Sequence, residues 1–154
     1  MDLGDLISPE GIIPALKANS KKQVLQLLAD NAADALEINQ REIFDTLLQR
    51  ERLGSTGVGH GIAIPHGKLN SIDGIFSLFA RLETPIDFDS IDDEPVDLIF
   101  LLLAPESAGA DHLKALARIS RLLRDPAAVE KLRASHDQDA LYSVLTEPLA
   151  SHAA

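Results

Sequence analysis

Between Arg50 and Lys68 the chain reads RERLGSTGVGHGIAIPHGK, and His66 stands there between Pro65 and Gly67, just after the apolar triplet Ile62-Ala63-Ile64. Proline fixes the backbone entering a turn, and glycine lets the chain pass close beside the imidazole. A ring presented this way is expected at an exposed sheet edge with little freedom to wander. Imidazole is substantially neutral near pH 7 and keeps a ring-nitrogen lone pair free to attack, so it is a good phosphoryl acceptor. Phosphoryl transfer asks mainly for positioning and for stabilisation of the equatorial oxygens. Backbone N–H groups of the glycine-rich loop Gly54–Gly61 and a cation such as Arg50 would supply the latter.

The same glycines fit neither common nucleotide motif. A dinucleotide fingerprint starting at Gly57 needs glycine at 62, which is Ile. A Walker loop needs four residues between its glycines and Ser or Thr after Lys; Gly61 and Gly67 are separated by five, and Leu69 follows Lys68. A second chemistry uses His60, His66 and His112 as ligands of a metal-dependent hydrolase, since three histidines can hold zinc, although no further carboxylate is closely spaced with them.

The elements that must position these groups can be read from periodicity. Ser20 with Gln23, and Asn39 with Glu42, have capping-box spacing ahead of two amphipathic helices. The first carries Val24, Leu27, Leu28, Ala32 and Ala35; the second carries Ile43, Phe44, Leu47 and Leu48 and fades by Leu53. Gly11 to Asn19 reads as an irregular lead-in. Ile62–Ile64 is a short buried strand stopped by Pro65, Ile75–Leu82 a second strand, and Val96–Leu103 a central strand covered on both faces. The acidic run Asp87–Asp97 is expected to be a solvated loop. Leu113, Leu116, Ile119 and Leu123 mark a helix whose buried face includes His112, with Asp111 as its cap. Asp125-Pro126 starts another helix, and Asp137–Leu145 forms the last. The fold expected is a single α/β domain over residues 1–154, a small mixed sheet with helices on both faces, with a frayed tail from about 148.

Composition narrows the function. A hydrophobic fraction of 45% supports one real core in 154 residues. The absence of cysteine removes thiolate sites and disulfides and suits a reducing, cytoplasmic setting. A formal charge of −10 repels phosphate backbones and anionic lipid, so neither nucleic acid nor a membrane surface is an expected partner. The most apolar run, Leu98–Ala104, is too short to cross a bilayer, and the N-terminus lacks the pattern of a secretory signal. Around the candidate site, Leu53, Val58, Ile62 and Leu69 are expected to form an apolar rim.

The string GxGxAxPHG, with Arg50-Glu51 upstream, resembles the mannitol/fructose-type enzyme IIA domain of the bacterial phosphotransferase system. The fuller wording LGSTGVGHGIAIPHGK, TPIDFDSIDDEPVDLIFLLLAP and DHLKAL is similar to its nitrogen-regulatory branch, from about Leu6 to Leu145. The resemblance implies that His66 is the phosphorylated histidine, as the tele-phosphohistidine. It also implies that His112 is the second active-site histidine and that Arg50 lies near the phosphate. It further implies a histidine-containing phosphocarrier protein as donor, charged from phosphoenolpyruvate through an enzyme I. Sensor kinases or transport regulators would be the regulated targets, and no cofactor or resident metal is involved. The alternative output is a fructose/mannitol-type sugar permease. His60 departs from the Asn or Glu common at its position, and Lys68 is either a phosphate contact or a solvated cation. His136 and His152 read as surface residues.

Overall fold

The computed structural model describes residues 2–147; the expected frayed tail and His152 lie outside them. Strands β1 (Ile12–Leu16), β5 (Phe76–Ile86), β6 (Val96–Pro105), β3 (Ile62–Ala63) and β2 (Gly57–Gly59) follow one another across a mixed sheet, in that order. A further strand, β4 (His66–Leu69), also pairs with β6, in parallel. Thus β6 is antiparallel to β5 on one side and parallel to β3 and then β4 on the other.

Alternation along β6 divides the core. Ile99, Leu101 and Leu103 pack with α1 (Lys21–Leu36) and α2 (Gln40–Arg52) on one face. Leu98, Phe100 and Leu102 pack on the other with α3 (Ala110–Leu123), α4 (Pro126–Ala134) and α5 (Gln138–Thr146). Side chains of successive strand residues point to opposite faces, so a strand that is apolar at every position must be covered twice. The expected α/β architecture, with a mixed sheet and helices on both faces, is the one observed.

Several local expectations change. The lead-in Gly11–Asn19 contains β1, an edge strand parallel to β5; Pro14 is tolerated because an edge strand need not donate on both sides. The second strand runs on to Ile86 and takes in Thr84 and Pro85. Ser20 caps α1 through Gln23 N, and Gln23 returns a bond to Asn19 N rather than to Ser20. Asn39 caps α2, but Glu42 accepts from Ser71 Oγ at 2.8 Å instead of closing a box. Ala35 and Leu113 are exposed; the buried face of α3 is His112, Ala115, Ile119, Leu122 and Leu123. Asp111 lies within the first turn of α3, whose cap position is Gly109, so it is not the cap. The acidic run is not simply solvated, because Phe88 and Ser90 are buried within it and Asp97 lies in β6.

Gly67 has a different reason from the one its sequence position suggests. A Cβ built there would stand 2.7 Å from Thr46 Cγ2 on α2. The glycine therefore lets the helix close onto β4, and does not make room for the imidazole. Gly67→Ala is expected to destabilise the fold by about 1–3 kcal/mol through overpacking, with Thr46→Ser in the same chain restoring part of it. Chemical denaturation of the three variants checks this; an unaffected midpoint in Gly67→Ala contradicts it.

Candidate active site

The chain pauses between β3 and β4 at Ile64-Pro65, and His66 is the first residue of the resumed strand. It is therefore a half-buried strand residue rather than an exposed turn residue. Its register partner is Leu102, whose side chain faces α3–α5, so the ring of His66 projects to that face as well. There it meets His112 at the start of α3, with ring centroids 5.8 Å apart and planes tilted by 46°. Arg50 approaches from α2, on the opposite face, past the edge strand. Its Nε–H donates to His66 Nε2 at 3.3 Å, while Nη1 donates to the Gly54 carbonyl at 2.8 Å. The structure thus brings together His66, His112 and Arg50. Lys68, two residues further on the same strand face, is exposed.

These contacts select one tautomer of His66. Its Nδ1 lies 2.8 Å from the Ile64 carbonyl, which can only accept, so Nδ1 carries the proton. Nε2 then holds the lone pair, and the Arg50 donor points at it. Burial is the main cause that holds the His66 pKa below its ordinary value. The Ile64 carbonyl draws it up, the Arg50 charge pushes it down and the Glu51 charge draws it up again. His112 is also depressed, chiefly by burial, then by the charges of His66 and Lys68. Its Nε2 is buried with no hydrogen-bond partner among the described residues.

Because only neutral imidazole has a free lone pair, any nucleophilic step at Nε2 rises with pH through the folded pKa and then levels off. Burial holds that pKa below the ordinary imidazole value, so the fall in rate is expected in more acid solution than for a free imidazole. Single-turnover rates across pH 5–8 would check this; a midpoint above 7 contradicts it.

Behind the histidines, sequence reasoning missed Glu51 as more than a neighbour of Arg50. Its carboxylate is buried at the C-terminal end of α2 and accepts from Thr56 N at 3.0 Å, from Thr56 Oγ1 and from Lys21 Nζ at 3.0 Å. Lys21 is itself laid over the Phe88 ring, 4.8 Å from its centroid. This tie fixes the turn after Arg50. Its only sequence signal is the Arg-Glu pair ahead of the glycines.

His60 does not join the site. It forms with Gly61 the two-residue turn between β2 and β3, both at positive φ (58° and 80°), as a type I′ hairpin requires. Its N–H donates to Asp92 Oδ2 at 2.9 Å and its carbonyl accepts from Arg133 Nη2 at 2.6 Å. Among the described residues no three His, Cys, Asp or Glu side chains are grouped to hold a metal, so the three-histidine zinc arrangement is not formed. The apolar rim is also only partly present. Leu53 and Val58 are exposed at 85% and 48%, but Ile62 and Leu69 are in the core. No helix of the described residues is long and apolar enough to cross a membrane.

Comparison with known proteins agrees on one family. The family profile "Phosphoenolpyruvate-dependent sugar phosphotransferase system, EIIA 2" matches residues 5–147. A nitrogen regulatory protein of Bradyrhizobium diazoefficiens is 63% identical over 153 residues, covering 99% of this chain and 100% of the relative. A fructose-specific EIIA component of Haloferax volcanii is 37% identical over 151 residues, covering 96% and 98%. The crystal structure of the nitrogen regulatory protein IIA-Ntr from Neisseria meningitidis superposes with a TM-score of 0.89 at 30% identity, covering 94% of this chain and 99% of that one.

Proposed function

The chain belongs to the EIIA 2 family of the phosphoenolpyruvate-dependent sugar phosphotransferase system, within its nitrogen regulatory members, and on that premise we propose that it is a histidine phosphocarrier charged at His66 Nε2. The donor is the phosphohistidine of a histidine-containing phosphocarrier protein. The Nε2 lone pair attacks phosphorus, the donor's P–N bond breaks, and its electron pair returns to the donor ring. One bond is made and one is lost, and Nδ1 keeps its proton throughout. Arg50 swings its donor from Nε2 onto the incoming oxygens, and His112 offers a second contact from α3. We place this activity in the cytoplasm, with regulatory proteins such as sensor kinases or transport regulators as its targets.

The observation that carries this reading is the Ile64 carbonyl on Nδ1, which leaves Nε2 as the nucleophile. Incubation with phosphoenolpyruvate, an enzyme I and a phosphocarrier protein is expected to add the mass of one phosphoryl group, acid-labile and alkali-stable, at Nε2. Absence of any mass gain with active donors overturns it. The likeness to a fructose-specific EIIA component keeps a sugar permease as the second reading. A purified fructose-type EIIB domain that drains the phosphoryl group as fast as its own EIIA would favour that reading.

The supporting residues should show graded effects. Arg50→Ala and His112→Ala are each expected to slow transfer by roughly 10- to 100-fold without abolishing it, below the 10²–10³ of an enclosed oxyanion contact because His66 is only half-buried. Quench-flow measurement of the mass gain checks this; unchanged rates in both variants would mean that they serve only packing.

A further inference from the structure

Helix α3 has a face that the phosphocarrier reading does not use. From Ala110 to Arg124 the sequence holds four cations, Lys114, Arg118, Arg121 and Arg124, against one acid, Asp111, in a chain whose net charge is −10. Lys114, Arg118 and Arg121 are spaced i, i+4, i+7 and form one row, which Arg124 continues at the helix end. All four are exposed. None lies within ion-pair distance of a carboxylate among the described residues, although the remaining surface is rich in acids.

Beside this row runs a groove of about 980 Å³ between the β2–β3 hairpin, α3 and α4. Its floor is apolar, with Ile62, Ile64, Leu123 and Val129, and the half-exposed Val58 stands on its lip. Arg124 borders both the groove and the row, and among the described residues Glu130 is the one acid that lines the groove. A row of unpaired cations next to an apolar trough is complementary to a segment with acids on one face and apolar side chains on the other.

We propose that the solvent face of α3 and the adjoining groove form a docking surface for an acidic, amphipathic helical segment of a partner protein. The choice of a protein segment follows from the charges. A duplex or an anionic bilayer presents a broad negative surface that the acids of the rest of this chain would repel, whereas a single helix covers the row and the groove alone. The surface needs no phosphate on His66, so its test is independent of the phosphocarrier reading.

The test uses the unphosphorylated full chain, isotopically labelled, and a roughly four-turn peptide of Glu and Leu arranged amphipathically. Amide shifts are expected along α3, at Val58 and Ile62 and in α4, weakening with added salt. Arg118→Glu/Arg121→Glu is expected to weaken binding about tenfold or more. Arg118→Gln/Arg121→Gln, which removes charge with less strain on the helix, should give a smaller loss in the same direction. Three results overturn the proposal. One is no perturbation of α3 and the groove by the peptide. Another is equal binding of a Lys-and-Leu peptide or of the charge-reversed variant. The third is binding of phosphatidylserine vesicles or of a DNA duplex at least as tight as that of the acidic peptide.

Discussion

His66→Ala is expected to fold normally and to take up no phosphate. The variant loses a half-buried ring, its bond to the Ile64 carbonyl, the bond from Arg50 Nε–H and the contact with His112, a cost of roughly 1–3 kcal/mol for the two bonds. Arg50 keeps its bond to the Gly54 carbonyl, so the loop need not rearrange. The loss of function should nevertheless be complete, because His112 stands 5.8 Å away with its ring buried and cannot take the place of the missing nucleophile. Intact mass after incubation with the donor chain, beside the thermal midpoint, decides it. Normal phosphate stoichiometry in the variant removes His66 from the mechanism, whereas loss of both uptake and fold would leave His66→Gln as the cleaner probe.

The second large effect concerns stability. Glu51→Ala would strand Thr56 N and the ammonium of Lys21, whose side chain is only 18% exposed. Removing one member of a buried pair typically costs about 3–5 kcal/mol. The lower end is expected here, since Asp89 Oδ2 remains 3.8 Å from Lys21 Nζ. A loss near 3 kcal/mol would lower the thermal midpoint by on the order of 10 °C. Glu51→Gln keeps an acceptor for Thr56 N and should lose less. Both substitutions remove a negative charge that raises the His66 pKa, so His66 should titrate lower still, as NMR of the ring would report. A midpoint within about 1 °C of the parent in Glu51→Ala would contradict the structural role.

Much of this arrangement is legible in the sequence because local rules and long-range packing agree there. Ser20 and Asn39 cap the helices they precede, and β6 reads as covered on both faces because it is. His66 and Arg50 stand out beside the glycine-rich loop, His112 is implied as a site residue by the family resemblance, and the three side chains do converge. The features that escape sequence reasoning are fixed by partners distant in the chain. The strand character of Ile12–Leu16 is created by β5, against a proline and a neighbouring glycine that suggest irregularity. The strand His66–Leu69 exists because β6 continues past β3 and offers its second half. Gly67 reads as a device for the imidazole until Thr46, on another element, supplies the contact that requires it. The expected rim fails at Ile62 and Leu69 because hydrophobicity alone does not tell a strand's two faces from a loop.

If His66 carries the phosphoryl group as proposed, the pause at Ile64-Pro65 would also set the energetics of that state. With a phosphoryl group on Nε2, the ring can shed its Nδ1 proton only by giving up the bond to the Ile64 carbonyl, 2.8 Å away. That acceptor favours the cationic ring. Onward transfer then expels a neutral imidazole as leaving group instead of an imidazolate, which would be far more basic. On the phosphocarrier proposal, a carbonyl that strand alternation turns to the β2 side, where Ile64 N bonds the Thr56 carbonyl, would thus keep the P–N bond labile and the phosphoryl group at a high transfer potential.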